Sequence, residues 1–250
     1  MSPRGGTGGV PSPPGRLKYD FVRLGLRILM SCYVRVRVVG GDRLPDSGYL
    51  VCFNHPSWLD PLVLAGFWPD RRPLFIFGPR ERDMSVGRRN RLIVWSGRGV
   101  PFKPGGVDLL DTSRRAVGVL AAGGVLAVAG EGRLSDREGE ALPLQEGVAY
   151  FAIRAGVPIV PAGIVGTRWV HFGKRLTLRI GHPVPTAGLR GRDAASRVTA
   201  VVQASLAELL GGPRDERVPG PFGRWVSDLF NERPWLDEAE TATDGRTPER

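Results

Sequence analysis

Apolar and polar positions along this chain change rhythm at short intervals, and each rhythm predicts an element. Over residues 17–31, Leu17, Phe21, Leu24, Ile28 and Leu29 recur at helical spacing, with Lys18, Arg23 and Arg27 between them. Residues 33–39, Tyr-Val-Arg-Val-Arg-Val-Val, alternate and predict a half-exposed strand. From there apolar runs at 49–53, 74–77, 124–129, 158–165 and 176–180 read as strands. Helix-period stretches at about 58–68, 84–95, 107–122, 145–155 and 192–210 fall between or after them. Such alternation predicts a single α/β domain, with a mostly parallel or mixed central sheet flanked by helices and an N-terminal amphipathic helix. In that architecture ligands bind beyond the carboxyl ends of the strands.

The pattern also sets the limits of the domain. The first 16 residues are rich in Gly, Pro, Ser and Arg and lack an apolar stretch, so they read as a disordered tail and not a signal peptide. The predicted domain covers 17–212, and a C-terminal tail covers 213–250. Within that tail Phe222, Trp225, Val226, Leu229 and Phe230 fall at helical spacing beside Arg224, which predicts an amphipathic aromatic helix over 221–232. For both 17–31 and 221–232 two readings stand open: a helix packed on its own domain, and a helix lying in a membrane interface with its basic residues toward headgroups.

Charge narrows the partners. The net charge is +10, most of it from arginine, which suits phosphate-bearing partners such as anionic lipid headgroups, phosphorylated small molecules or nucleic acid. Nucleic acid is disfavoured, because no recognised binding module appears and aromatics do not interleave with basic residues in an exposed strand. No run of 18 apolar residues occurs, so no spanning helix is predicted. Cys32 and Cys52 sit in apolar stretches with neither a disulfide framework nor a metal-ligand spacing, which points to a reducing compartment.

The candidate chemistry begins just after the strand Tyr49–Phe53. There the chain reads Asn54-His55-Pro56-Ser57-Trp58-Leu59-Asp60. An imidazole held by a carboxylate is a general base, since the carboxylate fixes the tautomer and stabilises the imidazolium. The spacing alone is a weak signal, because 14 aspartates and three histidines make a chance match common. Further segments add weight. Gly97–Gly106 carries Arg98 and Lys103 among glycines ahead of a helix, a plausible phosphate cradle. Gly130-Glu131-Gly132-Arg133-Leu134-Ser135 follows an apolar strand and presents a carboxylate and a guanidinium from one tight turn. Val157-Pro158-Ile159-Val160-Pro161 reads as a buried strand between prolines.

Taken in order, these four segments resemble the glycerolipid acyltransferase family over roughly residues 35–185. The resemblance implies transfer of a fatty acyl group from acyl-CoA or acyl carrier protein to the free hydroxyl of 1-acylglycerol-3-phosphate, giving phosphatidic acid. Acylation of another lysophospholipid or a glycolipid, or a non-catalytic lipid-binding relative, are the alternatives. His55 would be the base and Asp60 its orienter. Asn54, Ser57, Lys103, Glu131, Gly132 and Arg133 would lie on the substrate side. No metal or cofactor is implied beyond the thioester co-substrate, and the expected setting is peripheral, on the cytoplasmic face of an anionic membrane. Two positions depart from the family pattern. Lys103-Pro104 stands where an arginine usually meets phosphate, and Gly130 stands where a proline usually precedes the glutamate. A lysine binds phosphate as a point charge and cannot fork onto it.

Overall fold

The structure is a computed structural model that describes residues 16–79, 98–102, 109–135, 138–191, 193–212 and 217–231. In chain order the elements are α1 (Arg16–Tyr33), β1 (Arg35–Val39), β2 (Tyr49–Phe53), α2 (Asp60–Phe67), β3 (Leu74–Pro79), β4 (Gly99–Phe102), α3 (Leu109–Ala121), β5 (Val125–Ala129), α4 (Gly147–Ala155), β6 (Ile159–Val165), β7 (Arg175–Ile180), α5 (Ala194–Leu210) and α6 (Pro221–Asn231). The seven strands form one sheet in the order β1-β7-β6-β2-β5-β3-β4. Neighbours are parallel except β6 with β7, so the sheet is mixed. The α/β prediction holds in class and in most elements. The predicted helix at 84–95, residues 1–15 of the predicted tail 1–16 and the residues after 231 lie outside the described residues, while Arg16 opens α1.

The central strand explains why the sheet is covered on both sides. All five residues of β2 are buried. Tyr49, Val51 and Phe53 face one layer, where they pack with Leu64 of α2 and with Trp68, the residue just after it. Leu50 and Cys52 face the other, with Ala116 and Leu120 of α3, Val148 and Ala152 of α4 and Val202 of α5. A continuous apolar run is what a parallel strand buried on both faces requires. Full burial of one such side chain stabilises the fold by about 1.5–3 kcal/mol, so the two layers fix the register of β2 tightly. A smaller third cluster joins Met30 of α1, Val63 of α2, Val170 and Leu176 to Leu59, with Val226 and Phe230 of α6 packed against it.

Two departures from the sequence reading have local causes. α2 begins at Asp60, not at 58, because Pro61 suits the first turn of a helix and the preceding residues are held in a hydrogen-bonded loop. β4 was hidden inside the Gly97–Gly106 segment, which reads as pure loop. Its Gly-Val-Pro-Phe sequence is a poor strand by composition, but β4 is an edge strand, where proline needs no ladder donor on its outer side. Since β4 is parallel to β3, its chain leaves Phe102 at the same end of the sheet as β2 leaves Phe53.

The opposite end of the sheet is tied by a polar chain. Trp68 Nε1 donates to Tyr49 Oη over 2.9 Å, and that hydroxyl donates to Asp70 over 2.7 Å. Arg72 pairs with Asp70 at 2.8 Å and holds that carboxyl below the usual carboxylate range. Arg98 also belongs to this end. It is almost fully buried between the rings of Tyr19 and Phe75, so it packs structurally at the start of β4 and does not join a phosphate cradle.

Candidate active site

The carboxyl ends of β2, β5 and β6 converge, and the chain that leaves them builds the site. The first residue after β2 is Asn54. Its side chain bridges to β6, donating from Nδ2 to the Ile164 carbonyl at 2.9 Å and accepting the Ile164 N–H at 2.7 Å. The buried amide is therefore occupied by backbone, and Asn54 holds the start of the loop against the sheet.

His55 follows, and it is fixed through both its backbone and its ring. Its N–H donates to Glu131 Oε2 at 3.3 Å, and its carbonyl accepts from the Ser135 N–H at 2.8 Å. The ring lies edge-on to Phe53, with centroids 5.8 Å apart, and to Trp58, at 5.1 Å. Nδ1 stands 3.0 Å from Asp60 Oδ2. With a carboxylate accepting at Nδ1, the proton sits there and Nε2 carries the basic lone pair.

Asp60 opens α2 and is fully buried. Burial pushes its carboxyl above the usual carboxylate range, while His55, the Thr167 hydroxyl and the Ser57 N–H pull it back. The same Oδ2 that meets the ring accepts the Ser57 N–H at 2.8 Å. Ser57 Oγ in turn accepts the Leu59 N–H at 3.2 Å, and the whole residue is buried. The predicted substrate-side role of Ser57 thus meets a side chain already engaged in shaping the loop between His55 and Asp60.

The third block closes over the first. Gly130 N–H donates to the Phe53 carbonyl at 3.1 Å, and Gly132 makes the turn with a φ of 67°. Gly130 is also a matter of space, since a Cβ there would lie 2.5 Å from Cys52 Sγ and 2.7 Å from Leu144 Cδ2. A proline would add that Cβ and lose the donor to Phe53, which accounts for glycine at this departure from the family pattern. Glu131 is buried, with Oε2 on the His55 N–H and Oε1 accepting the Leu142 N–H at 3.0 Å. Burial raises its carboxyl, against the pull of those two donors. Arg133, just past the turn, is exposed. Lys103 lies outside the described residues, one position beyond the end of β4.

The structure thus brings His55, Ser57, Asp60 and Glu131 into one hydrogen-bonded unit, with Asn54 tying the start of the loop to β6 and Gly132 shaping the turn that carries Glu131. Two buried charges that sequence reasoning missed sit close behind it. Glu138 accepts the Gly166 N–H, and Lys174, also buried, lies near enough to favour its ionised form. Both occur in short charged runs, Arg-Glu-Gly-Glu and Gly-Lys-Arg, that look like solvated surface. Nothing local marks them as interior. Trp58 was also missed as a wall of the His55 ring, though an aromatic between His and Asp was a signal within the motif itself.

Chemically the pair can take a proton from a hydroxyl at Nε2 and pass it on, with the positive charge held by Asp60. Residues 35–165, just over half of the chain, match the family described as Acyltransferase. Among solved structures the fold is similar to that of the 1-acyl-sn-glycerophosphate (LPA) acyltransferase PlsC from Thermotoga maritima. The two are 24% identical with a TM-score of 0.60, and the match covers 79% of this chain and 81% of that one. With the buried His-Asp pair at the carboxyl end of the central strand, and the matched segment spanning it, the chain belongs to the acyltransferase family.

Proposed function

We propose that the protein transfers a fatty acyl group from acyl-CoA or acyl carrier protein to the free hydroxyl of 1-acylglycerol-3-phosphate, giving phosphatidic acid for phospholipid synthesis. The observation that carries this reading is the 3.0 Å His55–Asp60 contact, buried at the end of β2 and braced by Glu131. The activity printed for the similar Thermotoga maritima structure supports the same acceptor. His55 Nε2 removes the hydroxyl proton as the oxygen attacks the thioester carbonyl. The tetrahedral intermediate collapses with cleavage of the carbon–sulfur bond. The proton moves from the imidazolium to the departing sulfur, leaving an ester and a free thiol. No metal or cofactor enters this scheme.

Arg133 and Lys103 bind the acceptor phosphate in this reading, while Asn54, Ser57 and Glu131 hold the base in place. The acyltransferase domain is residues 17–212, with α6 of the following segment packed against its catalytic loop. The protein works peripherally on the cytoplasmic face of a membrane, where acceptor and product reside; among the described residues no helix is long and apolar enough to cross a bilayer. A second acceptor class has one observation in its favour, since the Lys103-Pro104 departure weakens the case for a forked phosphate contact. Purified protein given acyl-CoA and a panel of lysophosphatidic acid, other lysophospholipids and glycolipid acceptors tests both. Fastest turnover of lysophosphatidic acid, lost in His55→Ala, is the expected result. Preference for another acceptor moves the substrate, and no transfer to any acceptor leaves the non-catalytic lipid-binding reading.

A further inference from the structure

α6 touches the candidate active site directly. Trp58 N–H, inside the loop that carries His55 and Asp60, donates to the Phe230 carbonyl at 3.0 Å. Asn231 Nδ2 donates to the Arg168 carbonyl, next to Thr167. Ser227 Oγ accepts the Val170 N–H at 2.9 Å, and Gly223 lets the helix close onto the same segment. Val226 and Phe230 pack against the cluster that contains Leu59. One side of α6 is therefore bound to the loop between His55 and Asp60 and to the chain behind Asp60.

The other side is apolar and exposed. Phe222 is 65% exposed, Trp225 58% and Leu229 41%. Phe222 meets Tyr33 at 6.3 Å between centroids, and Tyr33 meets Phe172, itself 77% exposed, at the same distance. These rings form one aromatic corner where α1 ends and β1 and β7 begin. Exposed arginines stand around it: Arg224 on α6, and Arg35 and Arg175, which are register partners at the starts of β1 and β7. Asp228 is the exposed acid on the helix. Exposed aromatics ringed by guanidinium groups match an anionic bilayer, which receives the rings at headgroup depth and pairs with the cations.

We propose that α6, with Phe172, is a bilayer-contact face that also positions the catalytic loop, so that contact with an anionic membrane and placement of Trp58 beside His55 depend on one helix. The proposal rests on the acyltransferase reading only for its turnover readouts; the docking readout needs no substrate. The test uses the full chain with Phe222→Ser and Trp225→Ser together. Both side chains are exposed, so the melting temperature should stay near that of the parent chain. Co-sedimentation with phosphatidylcholine vesicles containing phosphatidylglycerol should weaken by about tenfold or more. Phe222→Leu with Trp225→Phe should restore it. The ratio of turnover on vesicle-borne acceptor to turnover on dispersed short-chain acceptor should fall in the serine variant. Asn231→Ala, which cuts the tie to Arg168, should instead lower kcat with both acceptors and leave vesicle binding intact. A serine variant that sediments with vesicles as the parent does overturns the docking face. So does a parent chain that dimerises through this corner in the absence of lipid. An Asn231→Ala protein with normal kcat overturns the positioning role. If no acceptor is turned over while vesicle binding behaves as stated, the acyltransferase reading fails and the docking face stands.

Discussion

Replacing Glu131 with glutamine exchanges one carboxylate oxygen for an NH2 group at nearly constant volume. In the structure both oxygens are occupied, one by the His55 N–H at 3.3 Å and one by the Leu142 N–H at 3.0 Å. A glutamine can accept only one of these bonds well. The other N–H then faces a donor in a buried site, which costs about 1–3 kcal/mol. The longer bond, to His55, is the one more readily given up. For a domain of this size each kcal/mol lowers the melting temperature by about 2–4 °C, so a drop of about 2–12 °C is expected. Release of the His55 backbone also loosens the ring against Asp60. Misplacement of a catalytic group by about 1 Å can cost 10²-fold, and a loss in kcat of about tenfold or more is predicted. Calorimetry and initial-rate kinetics over an acceptor series measure both quantities. The geometry demands that kcat and melting temperature fall together while the acceptor KM stays within about twofold, since Glu131 reaches substrate only through His55. An unchanged melting temperature with a tenfold rise in acceptor KM would refute this and return Glu131 to direct acceptor binding.

The remaining predictions concern the same site. His55→Ala should lower kcat by about 10²–10⁴ or more in a chain that still folds, and Asp60→Asn should lose a large part of that by releasing the ring; near-normal turnover in a folded His55→Ala protein would sink the proposed base. Arg133→Ala and Lys103→Ala should each raise the KM for a phosphorylated acceptor by about tenfold, the worth of a charge-assisted hydrogen bond of about 1.5–3 kcal/mol, with no effect on unphosphorylated acceptors; unaltered kinetics in both would place the phosphate elsewhere. The raised carboxyls of Glu131 and Glu138 bind a proton more tightly folded than unfolded. Each therefore contributes stability below the unfolded carboxyl pKa of about 4.3, lost as pH rises through the folded value. Melting of the parent chain and of Glu138→Gln across that window should show a shallower decline with pH in the variant, and parallel curves would remove Glu138 from the account.

Much of the fold was written in short-range pattern. The apolar run of β2 and the helical spacing of α5 state their burial locally, because each packs one continuous face or two; in α1 the spacing located the helix but not its buried face, since Leu17, Phe21, Leu24, Ile28 and Leu29 are exposed and Tyr19, Val22, Leu26 and Met30 turn inward. β4 was not legible, since its glycine and proline contradict strand composition and only its place at the sheet edge makes them acceptable. The His55–Asp60 pair was legible because both residues lie on one loop and their contact is set by a turn. What Asn54 and Glu131 do was not, since their partners, Ile164 and Leu142, are fixed by the sheet and by a later loop. Glu138 and Lys174 were invisible for a related reason. Their pairing depends on chain segments that only the folded topology brings together.

Cys52 lies directly beneath the turn that carries Glu131, and any Cβ at Gly130 would strike its sulfur. Burial and the nearby Glu131 carboxylate push the thiol up to about 12, so it stays protonated and shielded in the folded chain. Thiol chemistry runs through the thiolate. Alkylation of Cys52 therefore requires an opening of the layers packed over β2, the turn or the helices behind it, and its rate reports those openings. Cys32, exposed on α1, reacts without any such opening. The chain thus carries one fast and one slow sulfur, and the interval between their labelling times is a clock for how often the packing over β2 comes apart.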